Sequence, residues 1–168
     1  MLQTNQETSI RKFIGKWLRD HAAGRYVVPQ EEQLADDKRP DYRFQNSQYY
    51  APVPVELKLS QNWSGPGHFE RLENQLCGDY LRDISSSCGI FLLVNHGGQA
   101  TWETPTKGRV GFNDLVIALQ EHWLAIASKF PNVEDIKVIG IDLTKRGGAA
   151  AIKAIKANQA EGSQIDGE

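Results

Sequence analysis

The stretch RPDYRFQNSQYYAPVPVELKLS, residues 39 to 60, carries three groups able to do chemistry together: Asp41, Glu56 and Lys58. Glu56 and Lys58 stand two apart in a run whose other positions, Val53, Val55, Leu57 and Leu59, are apolar. Side chains of a strand repeat every two residues, so Glu56, Lys58 and Ser60 share one face and the four aliphatic residues the other. Asp41 falls on an expected preceding strand, with Arg43 on its own face and Tyr42 and Phe44 opposite. Pairing of these strands brings Asp41 beside Glu56. Two carboxylates in a partly buried cleft repel and raise each other's pKa. A divalent cation relieves that repulsion, and hard oxygen donors with open water positions suit Mg2+ or Mn2+. The backbone carbonyl of Leu57 offers a third oxygen. A cation so held polarises a phosphoryl oxygen and acidifies a bound water. Lys58 is placed to orient or deprotonate that water, or to neutralise charge on the phosphorus oxygens. These are the parts needed for phosphodiester hydrolysis. The competing reading is a solvated strand face with a weak surface ion pair.

The elements that must position these groups read as follows. Residues 9–22 place Ile10, Phe13, Ile14, Trp17 and Leu18 on one helical face, with Thr4 and Glu7, or Thr8 alone, as the start signal and Gly24 as the end. Residues 25–35 and 39–45 predict two short strands around the turn DDK, and residues 53–60 a third. A loop, QNWSGPG, leads into a helix over 68–84 that turns Phe69, Leu72, Leu76, Tyr80 and Ile84 to the core. GIFLLVN, 89–95, is the continuous apolar run of a strand buried on both faces. Residues 96–111 predict an irregular excursion. Residues 112–130 form an amphipathic helix through Leu115, Leu119, Trp123, Ile126 and Phe130, capped by Asn113, and 136–144 a last strand. The order predicts an α/β fold with a mixed central sheet flanked by helices.

The pieces RPD and VELKL resemble the signature of the PD-(D/E)xK nuclease superfamily: Pro40-Asp41, then Glu56-Leu57-Lys58, with 15 residues from Asp41 to Glu56. The predicted order is similar to the αβββαβ core of that superfamily over residues 9–95, with a further helix and strand beyond it. The resemblance implies a restriction-endonuclease-like fold, a metal-dependent nuclease acting on DNA, Asp41 and Glu56 as metal ligands and Lys58 as the catalytic lysine. Some members carry a QxxxY motif on the next helix. Here Gln75 is followed by Tyr80 five residues on, which departs from that motif and leaves Gln75 as a candidate for contacting a phosphate or a metal-bound water. An additional acid upstream, where the resemblance implies one, is Glu31 or Glu32. An endonuclease is favoured over an exonuclease, in defence, restriction or repair. The alternatives are a catalytically inactive nuclease-like module that binds nucleic acid or a protein partner, and a junction-resolving nuclease working as a dimer. By the same analogy the domain would associate with an ATPase or sensor module, or form a homodimer or higher oligomer.

Length and composition set the outer limits. The chain has 168 residues, of which 40% are hydrophobic, enough for one domain with a core over 1–146 and a polar tail or linker over 147–168, helical at its start. Net charge −2 argues against a polybasic coat on nucleic acid and leaves room for a local basic rim. Arg43, Arg71 and Lys107 are the candidates for DNA backbone contact. Cys77 and Cys88 are too few for a disulfide framework and read as core residues of a cytoplasmic protein. The N-terminal residues lack a secretory apolar core, and no run reaches membrane-spanning length. His21, His68, His96 and His122 have no metal-ligand spacing, and His96 reads as a rim or structural residue. Trp17 and Trp123 read as core, and Trp63 as a loop side chain folded onto the core rather than stacked on a base.

Overall fold

The structure is a computed structural model and describes residues 2–28, 40–81 and 86–145. Its frame is a four-stranded mixed sheet in the order β1-β2-β3-β6, from β1 (Tyr42–Asn46), β2 (Tyr49–Leu59), β3 (Cys88–Asn95) and β6 (Asp135–Asp142). β1 and β2 form an antiparallel hairpin, whereas β2, β3 and β6 run parallel. Parallel strands need crossovers, and helices supply them on one face of the sheet. Between β2 and β3 the chain passes through α2 (Gly65–Arg71), which continues as a π-helix over Leu72–Tyr80. Between β3 and β6 it makes a small hairpin, β4 (Trp102–Thr104) with β5 (Gly108–Val110), then α3 (Phe112–Ile126).

Each face of the sheet is closed by apolar side chains. Val55, Leu57 and Leu59 alternate down β2 into a cluster with Tyr42, Leu92 and Val94, and Ile10, Ile14 and Leu18 of α1 (Leu2–Asp20) pack over it. Leu57 and Leu59 are fully buried, each contributing roughly 1.5–3 kcal/mol by leaving water. On the other face Phe91 and Leu93 of β3 meet Leu72, Leu76 and Leu81 of the crossover and Leu115, Leu119 and Trp123 of α3. Among the described residues no helix is long and apolar enough to cross a membrane.

Several sequence expectations are corrected. The helix α1 begins at Leu2, so Thr8 lies inside it and neither proposed cap sits at its start. Its apolar stripe is wider than the sheet it covers: Phe13 and Trp17 are each 51% exposed, and Trp17 stacks on His21 rather than entering the core. The chain leaves the helix through Ala23 and Gly24, at φ 48° and 73°. The strand expected over 25–35 is represented by a single antiparallel bridge, Val27 to Gln45, and 29–39 lie outside the described residues. Asp41 precedes β1 instead of lying within it. Gly111, not Asn113, stands at the cap position of α3, without a side-chain bond. The stretch 96–111 is not irregular throughout, since it holds the β4–β5 hairpin, whose Trp102 is buried and donates its indole N–H to Ser60 O at 2.8 Å. Cys77 is buried as expected, Cys88 only half-buried. Ile84 and the tail from 147 onward fall outside the described residues.

The crossover differs most from expectation. A helix of ordinary period would turn Tyr80 to the core, but the π-helix bonds residues five apart, as in Leu81 N–H to Leu76 O at 3.1 Å. The buried series therefore runs Leu72, Leu76, Leu81, and Tyr80 packs against the core from a half-buried position.

Candidate functional site

β2 presents Glu56 and Lys58 on the face opposite its aliphatic residues, as the two-residue repeat requires. Their register partners on β3 are Phe91 and Leu93. Both charged side chains are buried, Glu56 2% and Lys58 6% exposed, and Lys58 Nζ is hydrogen-bonded to Glu56 Oε1. This excludes the solvated-face reading. The hairpin register places Tyr42 opposite Val55, which sets Asp41 at the end of β1 beside the Glu56-Leu57 step. There Asp41 Oδ2 accepts the Leu57 N–H at 2.7 Å, and Oδ1 lies 2.9 Å from Arg11 Nε of α1. Tyr42 fastens that helix from below by donating its hydroxyl to Arg11 O at 2.5 Å.

The electrostatics follow from burial. Loss of solvent pushes the Glu56 carboxyl up to about 7, and the Asp41 charge adds to the rise. Lys58 and the Tyr80 hydroxyl oppose it. Asp41 is also raised, by burial first, against the pull of Arg11 and the Leu57 N–H. Tyr80 in turn accepts from Gln75 Nε2 at 2.9 Å. Two buried acceptors, Glu56 Oε2 and Gln75 Oε1, have no aligned donor. Burial of such atoms is unfavourable unless something else satisfies them.

The end of β2 is fixed by two donors on one carbonyl. Ser60 O accepts Trp102 Nε1–H at 2.8 Å and His68 Nε2–H at 3.0 Å. That bond sets the His68 tautomer and leaves its buried Nδ1 without a donor. Burial lowers the His68 pKa, with the nearby Lys58 charge contributing. Beyond Ser60 the chain turns back, and Trp63 comes under the two cations Lys58 and Arg71, at 5.7 Å and 4.3 Å from its ring centroid.

The structure thus brings Asp41, Glu56 and Lys58 together, with Gln75 linked to Glu56 through Tyr80. Leu57 joins them through its backbone, and its C=O leaves the strand on the same side as the N–H bonded to Asp41. Arg71 borders the group. Arg43 is half-buried opposite Pro54, and among the described residues its side chain makes no hydrogen bond or ion pair. Lys107 is tied to Glu121 of α3 at 2.8 Å and joins none of these residues. Glu31 and Glu32 lie outside the described residues. His96 bonds Gln61 at the rim, and His122 sits edge-on to Phe69. Sequence reasoning missed Arg11, His68 and Tyr80. Arg11 reaches the site from α1 and His68 from α2, where no spacing marks them, and Tyr80, read only as a core residue and an off-register partner of Gln75, comes from the π-helix. A separate open depression of about 610 Å³, lined by Asn95, Gln99, Phe112, Asp142 and Thr144 among others, contains none of the candidate residues.

Among the described residues no group of three or more His, Cys, Asp and Glu side chains is arranged to hold a metal. The oxygens that could hold one are the neighbouring Asp41 and Glu56 carboxylates, with the Leu57 backbone beside Asp41 and the Gln75 amide linked to Glu56 through Tyr80. Hard oxygens of this kind, two of them buried and unsatisfied, fit a divalent cation of the Mg2+ class. No protein-family model, curated protein or solved structure matches the chain.

Proposed function

We propose that the chain is a Mg2+-dependent deoxyribonuclease, with Mn2+ as a substitute, and that Asp41, Glu56, Lys58 and Gln75 form its active site. The observation that carries this reading is the burial of two carboxylate side chains and a lysine where the residue before β1 meets β2, with Glu56 pushed up to about 7. A buried carboxylate with so high a pKa is poorly solvated by the protein alone, and active sites are where such groups concentrate. The element order, a helix, an antiparallel hairpin, a helical crossover and a parallel strand, supports a restriction-endonuclease-like core.

In this reading Asp41, Glu56 and the Leu57 carbonyl hold the cation, and Gln75 adds its amide oxygen. A cation bound there would supply Lewis-acid polarisation of a phosphoryl oxygen and a more acidic water. Lys58 directs its ammonium at the charge developing on the phosphorus oxygens. Tyr80 favours the ionised form of Glu56, which a ligand must have. DNA is the partner, in a cytoplasmic setting, with an endonuclease or a dimeric junction-resolving nuclease as the two modes of cutting. Association with an ATPase or sensor module, and assembly into a homodimer or higher oligomer, belong to the same reading.

The test is incubation with supercoiled, linear and four-way-junction DNA in Mg2+, Mn2+ or chelator, beside Asp41→Ala and Lys58→Ala. Cleavage that needs the metal and is lost in both variants supports the proposal. Equal cleavage by the variants, or none by the wild type in any metal, sinks it.

One observation favours a second reading, a nuclease-like module that binds without cutting: both Asp41 oxygens are already engaged, by Arg11 and by the Leu57 N–H. DNA binding without metal uptake would select it.

A further inference from the structure

Trp63 lies in the segment QNWSGPG, between the 3-10 turn Ser60–Asn62 and α2. Ser64 caps α2 by accepting the Gly67 N–H at 3.2 Å, and Pro66 stands in its first turn. Gly67 matters for Trp63: a side-chain carbon there would sit 3.7 Å from the edge of the indole, so the ring rests directly on the helix backbone. The indole Nε1 is buried without an acceptor. Packing and stacking therefore hold the ring, with no hydrogen bond to help.

The two cations on this ring differ. Lys58 has a counter-ion in Glu56. Arg71, at the last position of α2, differs: among the described residues no carboxylate pairs with it, and its guanidinium carbon lies 4.3 Å from the Trp63 centroid. Glu70, the preceding residue, is exposed on α2, and Glu73 turns instead to Lys129 and His122 at 3.6 Å and 3.5 Å. A half-buried guanidinium stacked on an aromatic face keeps its planar fork of N–H donors free at the edge, which is the geometry that takes a phosphate in two parallel bonds.

We infer that Arg71 is a phosphate-binding residue and Trp63 its positioning residue, together forming a subsite for a DNA phosphate next to the one served by Lys58. This rests on the nuclease reading of the same cluster and adds the grip on the strand outside the reacting bond. The phosphate is either an internal diester or a terminal 5′-monoester, and the two are told apart by the substrate.

The experiment is titration of a fluorescent duplex in chelator, where nothing is cut, over a series of salt concentrations. The oligonucleotide carries a 5′-phosphate in one arm and a 5′-hydroxyl in the other. Arg71→Gln is expected to flatten the slope of log K against log salt by about one and to weaken binding roughly tenfold near 0.1 M salt. Arg71→Lys keeps the slope. Trp63→Leu weakens binding like Arg71→Gln, Trp63→Phe does so less, and Trp63→Leu combined with Arg71→Gln adds nothing to Arg71→Gln alone. A purely structural Trp63 would give additive losses instead. Equal losses in both arms identify an internal diester, and losses confined to the 5′-phosphate arm a terminal one. Salt-dependent wild-type binding with an unchanged slope in Arg71→Gln, or additivity in the double variant, overturns the subsite while leaving the nuclease reading intact. Absence of any wild-type binding or cleavage overturns both.

Discussion

Gln75 donates to the hydroxyl of Tyr80 at 2.9 Å although the two are five residues apart. In an α-helix, neighbours on one face are three or four apart, so this pair would diverge. The π-helix over Leu72–Tyr80 widens the turn and restores the contact. The extra residue between Gln75 and Tyr80 is thereby absorbed in the backbone, and Tyr80 links Gln75 to Glu56.

Tyr80→Phe tests that relationship. It removes the hydroxyl that favours ionised Glu56 and strands the Gln75 amide. The unsatisfied donor is expected to lower stability by about 1–3 kcal/mol. Loss of support for a ligand is expected to reduce cleavage about 10–100-fold. Glu56 then ionises at higher pH, so the acidic limb of the pH–rate profile moves upward. Thermal unfolding and a pH–rate profile check the two effects separately.

Glu56 makes stability depend on pH in a definite sense. Its carboxyl titrates at 4.5 when unfolded and at about 7 when folded. The folded protein therefore holds the proton more tightly, and this contribution is complete below pH 4.5 and lost as pH rises through 7, at most about 3 kcal/mol. Asp41, also raised, acts in the same direction. His68, lowered from 6.5, acts oppositely and destabilises on acidification. The wild type should lose stability relative to Glu56→Gln between those pH values in chelator. Mn2+ at pH 8 should recover the loss in the wild type and not in the variant. Denaturant midpoints across pH measure this, and parallel curves for the two proteins would refute it.

Gly65 is required for a different reason. A side-chain carbon there would fall 1.7 Å from Glu103 O and 2.8 Å from Glu103 N, which are backbone atoms of β4 and cannot rotate away. Gly65→Ala must push α2 off the β4–β5 hairpin, with an expected loss of about 3 kcal/mol or more. Gly67→Ala meets the movable Ser64 hydroxyl at 3.2 Å and should cost much less. Chemical denaturation of the two variants side by side makes the comparison.

What the sequence made legible follows from period and alternation. Val55, Leu57 and Leu59 against Glu56 and Lys58 fixed the orientation of β2, and the apolar run of β3 and the stripe of α3 were equally plain. The π-helix was not legible, because Leu72, Leu76 and Tyr80 fit an ordinary helical repeat as well as Leu72, Leu76 and Leu81 fit the wider one. The β4 and β5 strands are three residues each, too short for alternation to register. Trp17 misled because a helical stripe reports apolarity and not the width of the surface available to cover it. Arg11 was invisible as a partner of Asp41, since 30 residues of chain separate them and only the docking of α1 brings them together.

That last contact gives the most discriminating prediction. Arg11 Nε lies 2.9 Å from Asp41 Oδ1, and Oδ2 already accepts the Leu57 N–H, so a cation bound by Asp41 would have to displace one of them. Arg11 and a divalent ion then compete for one carboxylate. Without metal, Arg11→Gln removes the charge that holds the buried Asp41 down, so the Asp41 pKa rises and stability falls by about 1–3 kcal/mol near neutral pH. With saturating Mn2+ the ion replaces the lost charge, and the variant regains more stability than the wild type does. Its Mn2+ affinity rises several-fold as well, because no guanidinium has to be displaced. Calorimetric Mn2+ titration and thermal unfolding with and without the ion measure both quantities. If Arg11→Gln is destabilised equally in the two conditions and binds Mn2+ no better, Arg11 is the permanent partner of Asp41, and the module that binds without cutting becomes the better account of the site.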